Sequence, residues 1–543
     1  MINAELPNRA AQIAGSWSAE RRLGSWSLRS VSWARSLPLG VTLLTVASIA
    51  LREVADPDVW WHLATGRYIA LQRHIPAVDV FSFTATGHRW VTHEWLADLL
   101  FFAGYRLFGF GGLMVLFALL IAAAFALVYL RCRTAPLLAA ASTLLAALAS
   151  SMTWGARPQM LSLFFASLYL YILERVCEGS ASPWLLPPLT LLWANLHSGF
   201  VAGLLIIAAF VVGRELTWLR HRPHPSPWLS PLVRKLAWVG LASLVCSLLT
   251  PNGVSAALFP FGTLSNHLIQ ANIQEWFSPD FHAPMFWPLA AYWLALMATL
   301  AASRCRIDAT NLLLLLGSAA GALYSGRHAP FLALVGAPLL AQQAQDLWTP
   351  QREGSALGLS AAPAAGTMGP ARATAMRLLL ATLGLALAAL IVAIGFRTRA
   401  VVQRSMDMER LQYPTAAVAY MREHNLGKRI FNAYQWGGYL IWRGYSVFID
   451  GRTEVYGDEV FGEYLQTSTV QPDWEVPLAH YGVDSVLIET NSPLAVVLTE
   501  SSCWRVVYRD DLASLFVPAA QAAQVLSQAR AGGDIVPGEP GGR

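Results

Sequence analysis

Charged residues are scarce in this sequence, because only 13% of its 543 residues are Asp, Glu, Lys or Arg. A typical soluble protein has about 25%. Residues 111–130 and 378–396 carry no charge at all, and each stretch is long enough to cross a hydrocarbon core about 30 Å thick. The sequence therefore excludes a single soluble domain and predicts a protein that crosses a membrane several times.

Cysteine is also rare, and five Cys residues in a chain of this length cannot form a disulfide framework. The formal net charge of +5 does not indicate a nucleic-acid partner, because the basic residues lie mostly in short loops between apolar segments. The first 36 residues hold five arginines but no short apolar core with a small-residue cleavage site. We therefore expect an uncleaved cytoplasmic tail.

Hydropathy predicts about eleven membrane spans. They cover residues 37–53, 111–130, 135–152, 159–175, 184–195, 199–217, 236–250, 287–303, 309–325, 329–344 and 378–396. With the N-terminal tail in the cytoplasm, the loops richest in Arg and Lys all fall on the cytoplasmic side, as the bias of basic residues requires.

The predicted organisation is an all-α polytopic membrane domain with a small extracytoplasmic α/β domain. The regions are a basic cytoplasmic tail (1–36), a transmembrane domain (37–344) with an outer loop (54–110), a cytoplasmic linker (345–377), a last transmembrane helix (378–396), the extracytoplasmic domain (397–520) and a disordered tail (521–543).

Two carboxylates directly follow the first predicted span. Asp56 and Asp58 lie in the run D-P-D-V-W-W-H-L, where acids at a membrane boundary cost free energy unless they are used. Pro57 disfavours helix at Asp56 and can itself begin one, so Asp56 could cap that helix while both acids are solvated. The alternative is chemical: one carboxylate acts as a general base, or the pair binds a divalent cation such as Mg²⁺ or Mn²⁺.

Aromatic and histidine side chains accompany these acids. Trp60, Trp61 and Trp90 are typical of the aromatic belt at a membrane interface, and stacking against a sugar ring is the alternative. His62 follows Asp58 by four residues and would share its face of a helix. His62 is a candidate substrate contact, although a lone His is more often a hydrogen-bonded structural residue.

The later run T-H-E-W-L-A-D superficially matches the zinc-protease pattern H-E-x-x-H. Ala97 stands where that pattern needs its second His, so we reject a zinc protease. His93 and Glu94 instead precede an amphipathic stretch, residues 95–108, which is predicted to lie along the membrane interface. Glu94 is a second candidate substrate contact.

Together these features resemble the GT-C type of membrane glycosyltransferase, which takes a sugar from a polyprenyl-phosphate lipid on the outer face of the membrane. The matching features are the acidic pair after the first span, an interfacial helix that ends in Leu-Phe-Gly at 107–109, the second span and an outer C-terminal domain. Protein mannosyltransferases have a His-Pro-Pro-Leu element where this chain has T-H-E-W-L, so we expect a distant branch. The resemblance implies a GT-C-like fold in a bacterial plasma membrane.

The resemblance also implies an outer-face arginine that binds the lipid phosphate. Arg157 lies between the third and fourth predicted spans, and Arg327, followed by His328, lies between the ninth and tenth. All three are predicted to lie outside, against the bias of basic residues toward the cytoplasm. Arg327 with His328 matches the expected phosphate site and Arg157 is a second cation. Snorkelling to lipid headgroups is the alternative.

Four more residues of the outer loops are candidate acceptor or lid contacts. Asn195 and His197 lie at a turn between two spans, where polar side chains cost free energy unless they are paired or hydrated. Glu275 and Trp276 lie in loop 251–286, which could close over a cavity as a lid. Glu275 is the strongest of the four, since some GT-C relatives bring a second acid from a later outer loop.

Residues 397–520 are more charged than the spans and show alternation and Pro/Gly turns. Strands are predicted in R-I-F-N-A-Y, Y-S-V-F-I-D-G-R, D-S-V-L-I-E-T and a pair around 504–517, with helices near 414–424, 458–467, 473–482 and 493–501. No phosphate loop, nucleophile elbow or metal-ligand spacing occurs there. Asp450 and Arg452 are exceptional at a strand end, but ordinary turn chemistry is the favoured interpretation of D-G-R.

These observations predict an inverting membrane glycosyltransferase. Asp58 or Asp56 would activate an acceptor, while Arg327 and Arg157 stabilise the departing phosphate. The predicted partners are membrane lipids, a polyprenyl-phosphate sugar donor and an extracytoplasmic glycan, lipid or protein acceptor. Two alternatives stay open: a transporter or flippase of a lipid-linked envelope precursor, and a non-enzymatic envelope scaffold that acts through its C-terminal domain.

Overall fold

The structure is a computed structural model that describes residues 28–54, 56–220, 229–348 and 370–532. Several predictions therefore fall partly outside the described residues. They concern most of the N-terminal tail, the 221–228 loop, most of the 345–377 linker and the last eleven residues.

Long helices form the first three quarters of the chain. They are α1 (Leu28–Ala50), α2 (Asp58–Gln72), α3 (Trp95–Arg131), α4 (Pro136–Ser150), α5 (Gln159–Cys177), α6 (Leu186–Leu196), α7 (Phe200–Arg220), α8 (Pro231–Ser247), α9 (Val254–Ser265), α10 (His267–Asn272), α11 (Trp287–Ala302), α12 (Ala309–Tyr324), α13 (Ala329–Trp348) and α14 (Pro370–Gln412).

Each predicted span coincides with one of these helices. Within the described residues, five helical segments are long and apolar enough to cross a membrane, and two shorter ones, at Ser36–Ala50 and Ala309–Tyr324, are also apolar. The five are Trp95–Arg131, Pro136–Thr153, Gln159–Cys177, Phe200–Arg220 and Pro284–Ala302. These helices are consistent with a multi-pass membrane protein, and the number eleven stays a prediction.

A break at Gly109 divides helix α3 in two. Gly109 has φ 62° and ψ −165°, a conformation that glycine adopts far more readily than other residues. Residues 95–108 thus form a separate helix before the membrane-crossing part, as the L-F-G sequence indicated. This break lets the first half of α3 change direction above the predicted span.

The C-terminal domain, residues 413–532, contains a four-stranded sheet. Its strands β1 (Ile430–Asn432), β2 (Ser485–Glu489), β3 (Trp504–Arg509) and β4 (Ala513–Pro518) lie in the order β1-β2-β4-β3. β1 and β2 are parallel, while β4 is antiparallel to both of its neighbours. The helices are α15 (Thr415–Glu423), α16 (Gly437–Arg443), α17 (Thr453–Ser468), α18 (Glu475–His480), α19 (Pro493–Glu500) and α20 (Ala519–Gly532).

Two predictions for this domain differ from the structure. Residues 445–452 do not form a regular strand: Val447 makes isolated bridges to Ser82 and Ile430. Beyond it, the Asn432 side chain donates to the Ile449 carbonyl at 2.9 Å and accepts from the Phe448 amide at 3.0 Å. Residues 521–532 were predicted to be disordered but belong to α20. Their Ala and Gln content favours helix, and Ala522 and Val525 are buried.

The segment between α1 and α3 joins the membrane helices to the C-terminal domain. Val447 pairs with Ser82, and the Thr84 hydroxyl donates to the Phe448 carbonyl at 2.6 Å. Arg67 donates to the Trp442 carbonyl at 3.0 Å. One continuous buried core therefore includes both the helical region and the C-terminal domain.

The interfacial placement predicted for three tryptophans is wrong. Trp60, Trp61 and Trp90 are 3%, 8% and 3% exposed and belong to the core. Trp60 packs edge-on against Tyr413 and Tyr439 of the C-terminal domain, with ring centroids 5.4 and 5.1 Å apart. Belt residues and core residues have the same side-chain chemistry, so only tertiary packing distinguishes them.

Candidate active site

Asp56 and Asp58 stand at the start of α2 and have different surroundings. The Asp56 carboxylate accepts the Asp58 backbone amide at 3.0 Å, and its other oxygen is paired with Arg157. The predicted capping role of Asp56 is therefore present, although Pro57 is the residue that directly precedes the helix. Asp56 is held by two protein partners, and Asp58 is the better candidate for chemistry.

The Asp58 carboxylate lies against the C-terminal domain. A side chain at Gly451 would overlap this carboxylate, and the same Cβ position is 3.2 Å from the Trp61 indole nitrogen. Burial raises the pKa of Asp58 above its usual value, and it outweighs the lowering by His62 and Trp61. Asp58 is thus a base strengthened by its surroundings, which suits proton abstraction near neutral pH.

His62 lies one helical turn after Asp58 and is fully enclosed. Its Nδ1 is 2.6 Å from Asp98 Oδ1, and its Nε2 is 3.8 Å from a Glu94 oxygen. Burial lowers the pKa of His62, but Asp98, Glu94 and Asp58 together raise it above its usual value. A protonated His62 therefore balances part of the negative charge around Asp58.

Glu94 forms the centre of a group of three histidines. Its oxygens lie 3.8 Å from His62, 3.5 Å from His93 and 3.4 Å from His197. Burial favours the neutral acid, but His93, His62 and His197 outweigh it and lower the pKa of Glu94 well below its usual value. Glu94 is therefore a fixed negative charge, which fits a binding or orienting role and excludes use as a general acid near neutral pH.

His197 extends this group into the helical core. Its Nδ1 is 2.6 Å from the Ser162 hydroxyl, which also accepts the Trp193 indole N–H at 2.7 Å. Burial lowers the pKa of His197 to about 3. His197 is consequently neutral, and it anchors Glu94 rather than acting as a cation.

Arg157 connects Asp56 to the later 251–286 loop. Its Nε pairs with Asp56 and its Nη1 pairs with Glu275. Burial, followed by the repulsion of Arg327, lowers the pKa of Arg157 to about 10, which still leaves it charged near pH 7. Arg157, predicted as a second cation for the donor phosphate, thus lies beside the acidic pair, and both of its ion pairs are with protein carboxylates.

Arg327 completes the cationic side of the site. Its Nη1 is 3.8 Å from Glu275, and its guanidinium carbon lies 5.1 Å from the centre of the Trp276 ring. Glu275 in turn pairs with Arg157, the partner of Asp56, so ion pairs link Arg327 to the acidic pair. Its side chain is 30% exposed, so it remains accessible to a ligand.

His328 and Asn195, two predicted ligand contacts, have surroundings that favour a structural role. Burial lowers the pKa of His328 to about 4, and its buried Nδ1 has no hydrogen-bond partner among the described residues. A neutral His328 cannot supply positive charge to a phosphate. Asn195 accepts the Trp95 indole N–H at 3.0 Å and donates to the Leu249 carbonyl at 3.2 Å, so it ties helix ends together.

The predicted lid loop 251–286 contacts both sides of the site. Arg89 donates to the Ser255 hydroxyl at 2.5 Å, and Asn266 donates to Asp458 of the C-terminal domain at 2.7 Å. Near the other end of the loop, the Ser325 hydroxyl donates to the Glu275 carbonyl at 2.8 Å. The loop therefore covers the region between the first outer segment, the late arginine and the C-terminal domain.

A divalent cation at Asp56 and Asp58 stays a prediction that the local donor set does not favour. Arg157 already balances Asp56, which leaves one free carboxylate, and hard cations prefer six or more oxygen ligands. Within the described residues, no cluster of three or more His, Cys, Asp or Glu side chains could hold a metal ion.

Several residues of the site were not singled out from the sequence. Glu454 is solvent-exposed and interacts electrostatically with His93 and Glu94. It therefore borders the accessible space beside this pair. Gly451 contacts Asp58, and Asp98 pairs with His62. The D-G-R-T-E run at 450–454 was the one sequence signal for Glu454 and Gly451.

Comparison with known proteins gives no sequence-level relative, since no family model and no curated protein match. ArnT from Cupriavidus metallidurans bound to undecaprenyl phosphate aligns with a TM-score of 0.50 and 15% identity over 92% of this chain and 99% of ArnT. ArnT in the apo state aligns with a TM-score of 0.49 and 14% identity over 88% of this chain and 97% of ArnT. AglB from Archaeoglobus fulgidus in complex with an inhibitory peptide and a dolichol-phosphate aligns with a TM-score of 0.47 and 11% identity. That alignment covers 93% of this chain and 78% of AglB. The overall fold expected from the resemblance is therefore confirmed, because this chain shares it with ArnT.

Proposed function

We propose that this protein is a membrane glycosyltransferase that moves a sugar from a polyprenyl-phosphate carrier to an acceptor on the extracytoplasmic side of a bacterial plasma membrane. The observation that carries the proposal is a chain of contacts across the site: Asp58 adjoins Asp56, Asp56 pairs with Arg157, and Glu275 joins Arg157 to the accessible Arg327. A base and a phosphate-binding cation are the two groups that this transfer needs. The ArnT fold, seen with undecaprenyl phosphate, supports the carrier class.

Asp58 is the proposed general base. It accepts the proton of an acceptor hydroxyl while that oxygen attacks the anomeric carbon of the donor sugar. The bond between that carbon and the phosphate oxygen breaks at the same time, and the electron pair leaves with the phosphate. Attack opposite the leaving group inverts the anomeric configuration. The paired Asp56 orients the start of α2 instead of taking the proton.

Arg327 and Arg157 are the proposed phosphate ligands. Glu275 now bridges them, through an ion pair with Arg157 and a 3.8 Å contact with Arg327. A phosphate that binds both guanidinium groups has to displace this carboxylate. Since Glu275 lies on the 251–286 loop, carrier binding would also move the proposed lid.

The acceptor side of the site is rich in carboxylates. Asp58, Glu94 and Glu454 can each accept hydrogen bonds from sugar or lipid hydroxyl groups. Glu94 is held in place by His62, His93 and His197. We therefore expect a hydroxyl-bearing acceptor to bind between Glu94 and Asp58.

The test is carrier release by the purified protein in detergent. A panel of polyprenyl-phosphate sugars is offered to wild type and to Asp58→Asn, together with crude envelope lipid and glycan acceptors. Sugar-dependent release of the free carrier phosphate by wild type, at least about 100-fold slower in the variant, supports the proposal. Equal release by both proteins contradicts the assignment of Asp58.

A further inference from the structure

The turn at residues 450–452 of the C-terminal domain touches the proposed base directly. A Cβ at Gly451 would overlap the Asp58 carboxylate. Gly438, at the start of α16, packs beside it, where a Cβ would lie 3.0 Å from the Pro57 carbonyl and 3.2 Å from the Trp61 amide. The turn thus leaves no room for a Cβ at Gly451 unless the Asp58 carboxylate moves, whereas Gly438 makes a tight approach to the backbone of α2.

A buried charge network fixes the position of this turn. Arg452 donates to both Asp450 oxygens at 2.8 and 2.6 Å and to Asp79 at 2.8 Å. All three side chains are fully buried. The Tyr456 hydroxyl also donates to Asp450. Because a buried charge without a partner costs free energy, these side chains are held in the one arrangement that pairs them all.

The network also couples the turn to the segment that carries the histidine group. Asp79 accepts the Ser82 amide at 2.9 Å and the Ser82 hydroxyl at 2.6 Å. The Arg452 guanidinium carbon lies 4.5 Å from the centre of the Trp90 ring, three residues before His93. The same arginine thus holds the turn above Asp58 and the chain that leads into His93 and Glu94.

We propose that the D-G-R turn is the positioning element for the Asp58 carboxylate and that the C-terminal domain is therefore a working part of the active site. The turn excludes water from one side of the carboxylate and limits where it can point. This role rests on the proposed function of Asp58 as a base. Gly451 is a positioning residue, since it contacts the base and not the substrate.

Gly451→Ala is the direct test, measured in the full-length protein. The added methyl group must displace the turn or the carboxylate, and a misplacement of about 1 Å costs roughly 100-fold in turnover. Gly462→Ala is the matched control, because its Cβ would meet nothing within 4 Å. We expect a loss of about 100-fold for the first variant and wild-type turnover for the control.

A stability cycle tests the contact without any sugar transfer. Gly451→Ala should lower the thermal unfolding midpoint, and Asp58→Ala should restore much of it in the double variant, because the overlapping carboxylate is gone. Additive effects of the two substitutions would overturn the contact. The cycle also covers the case in which Gly451→Ala alone folds poorly.

Carbodiimide labelling reports on the carboxylate itself. A hydrophobic carbodiimide modifies protonated carboxyl groups, so the pH dependence of Asp58 labelling, read by mass spectrometry, follows its protonation. Gly451→Ala should move the midpoint to lower pH as Asp58 turns toward water, whereas Gly438→Ala, at the same interface, should move it much less. Equal shifts in both variants would overturn the specific role of the turn.

The two proposals fail in different ways. Absence of turnover by wild type with every donor would count against the proposed function. The stability cycle and the labelling midpoint would still decide whether the turn positions Asp58. Unchanged labelling together with full turnover in Gly451→Ala would overturn the positioning role while leaving the glycosyltransferase proposal standing.

Discussion

Replacing Glu275 with Gln should tighten the binding of a polyprenyl phosphate. In the structure this carboxylate bridges Arg157 and Arg327 and so occupies the place proposed for the phosphate. Gln keeps the size and hydrogen-bonding capacity of the side chain but removes the charge that competes with the ligand. Both arginines then face the site without a carboxylate between them.

The magnitude follows from the partial exposure of these groups. Two unit charges about 4 Å apart interact by roughly 4 kcal/mol at an effective dielectric of 20. The side chains of Arg157, Glu275 and Arg327 are 23%, 35% and 30% exposed, so solvent screening reduces this value. Exposed pairs contribute about 0.2–1 kcal/mol each, and Glu275 makes two of them, which together give about 0.4–2 kcal/mol. We therefore expect about 1–1.5 kcal/mol, or roughly tenfold tighter binding.

The assay is titration of the detergent-solubilised protein with undecaprenyl phosphate, followed by calorimetry at two salt concentrations. Asp280→Asn is the matched control, because Asp280 lies in the same loop and, among the residues that the structure describes, forms an ion pair only with His282, at 2.9 Å. The control should bind like wild type. Unchanged or weaker binding by Glu275→Gln would refute the idea that Glu275 occupies the phosphate site.

Three further predictions concern stability, pH and charge. Arg452→Met leaves the buried Asp450 and Asp79 without the arginine that pairs with both. It should lower the free energy of unfolding by about 3–5 kcal/mol, measured by chemical unfolding in detergent. A loss under about 1 kcal/mol would contradict the proposed charge network. Because the pKa of Asp58 is raised, kcat/KM should fall as pH decreases through a value above the usual aspartate pKa of about 3.9; a rate flat down to pH 4 would exclude this base. Arg327→Gln should reduce kcat/KM about 100-fold and Arg327→Lys less, and equal rates for all three proteins would remove Arg327 from the phosphate site.

Much of the fold could be predicted because its signals are local. Apolar stretches fixed the helices, and the D-P-D and L-F-G runs marked the start of α2 and the break in α3. The D-S-V-L-I-E-T run and the segment at 504–517 likewise predicted β2 and the β3–β4 pair. The segment at 445–452 could not be predicted correctly, because its backbone partners are the Asn432 side chain and residues of the 54–94 segment.

The candidate site was predictable in its residue types but not in its pairing. The sequence singled out Asp56, Arg157 and Glu275 separately, yet nothing local shows that Arg157 joins the other two. The contact of Gly451 with Asp58 depends on how the C-terminal domain docks on α2. Such contacts between distant segments are decided by tertiary packing, and a D-G-R run reads as an ordinary turn until its neighbours are known.

The most direct test of the central claim is donor consumption by wild type and by Asp58→Ala, with equal amounts of folded protein verified by thermal unfolding. Each is offered the same panel of polyprenyl-phosphate sugars and acceptors, with and without a divalent cation. The account predicts that wild type consumes at least one donor and forms an inverted product, while the variant retains carrier binding and loses turnover. Undiminished turnover in Asp58→Ala, or donor binding by wild type without turnover across the whole acceptor set, would contradict it.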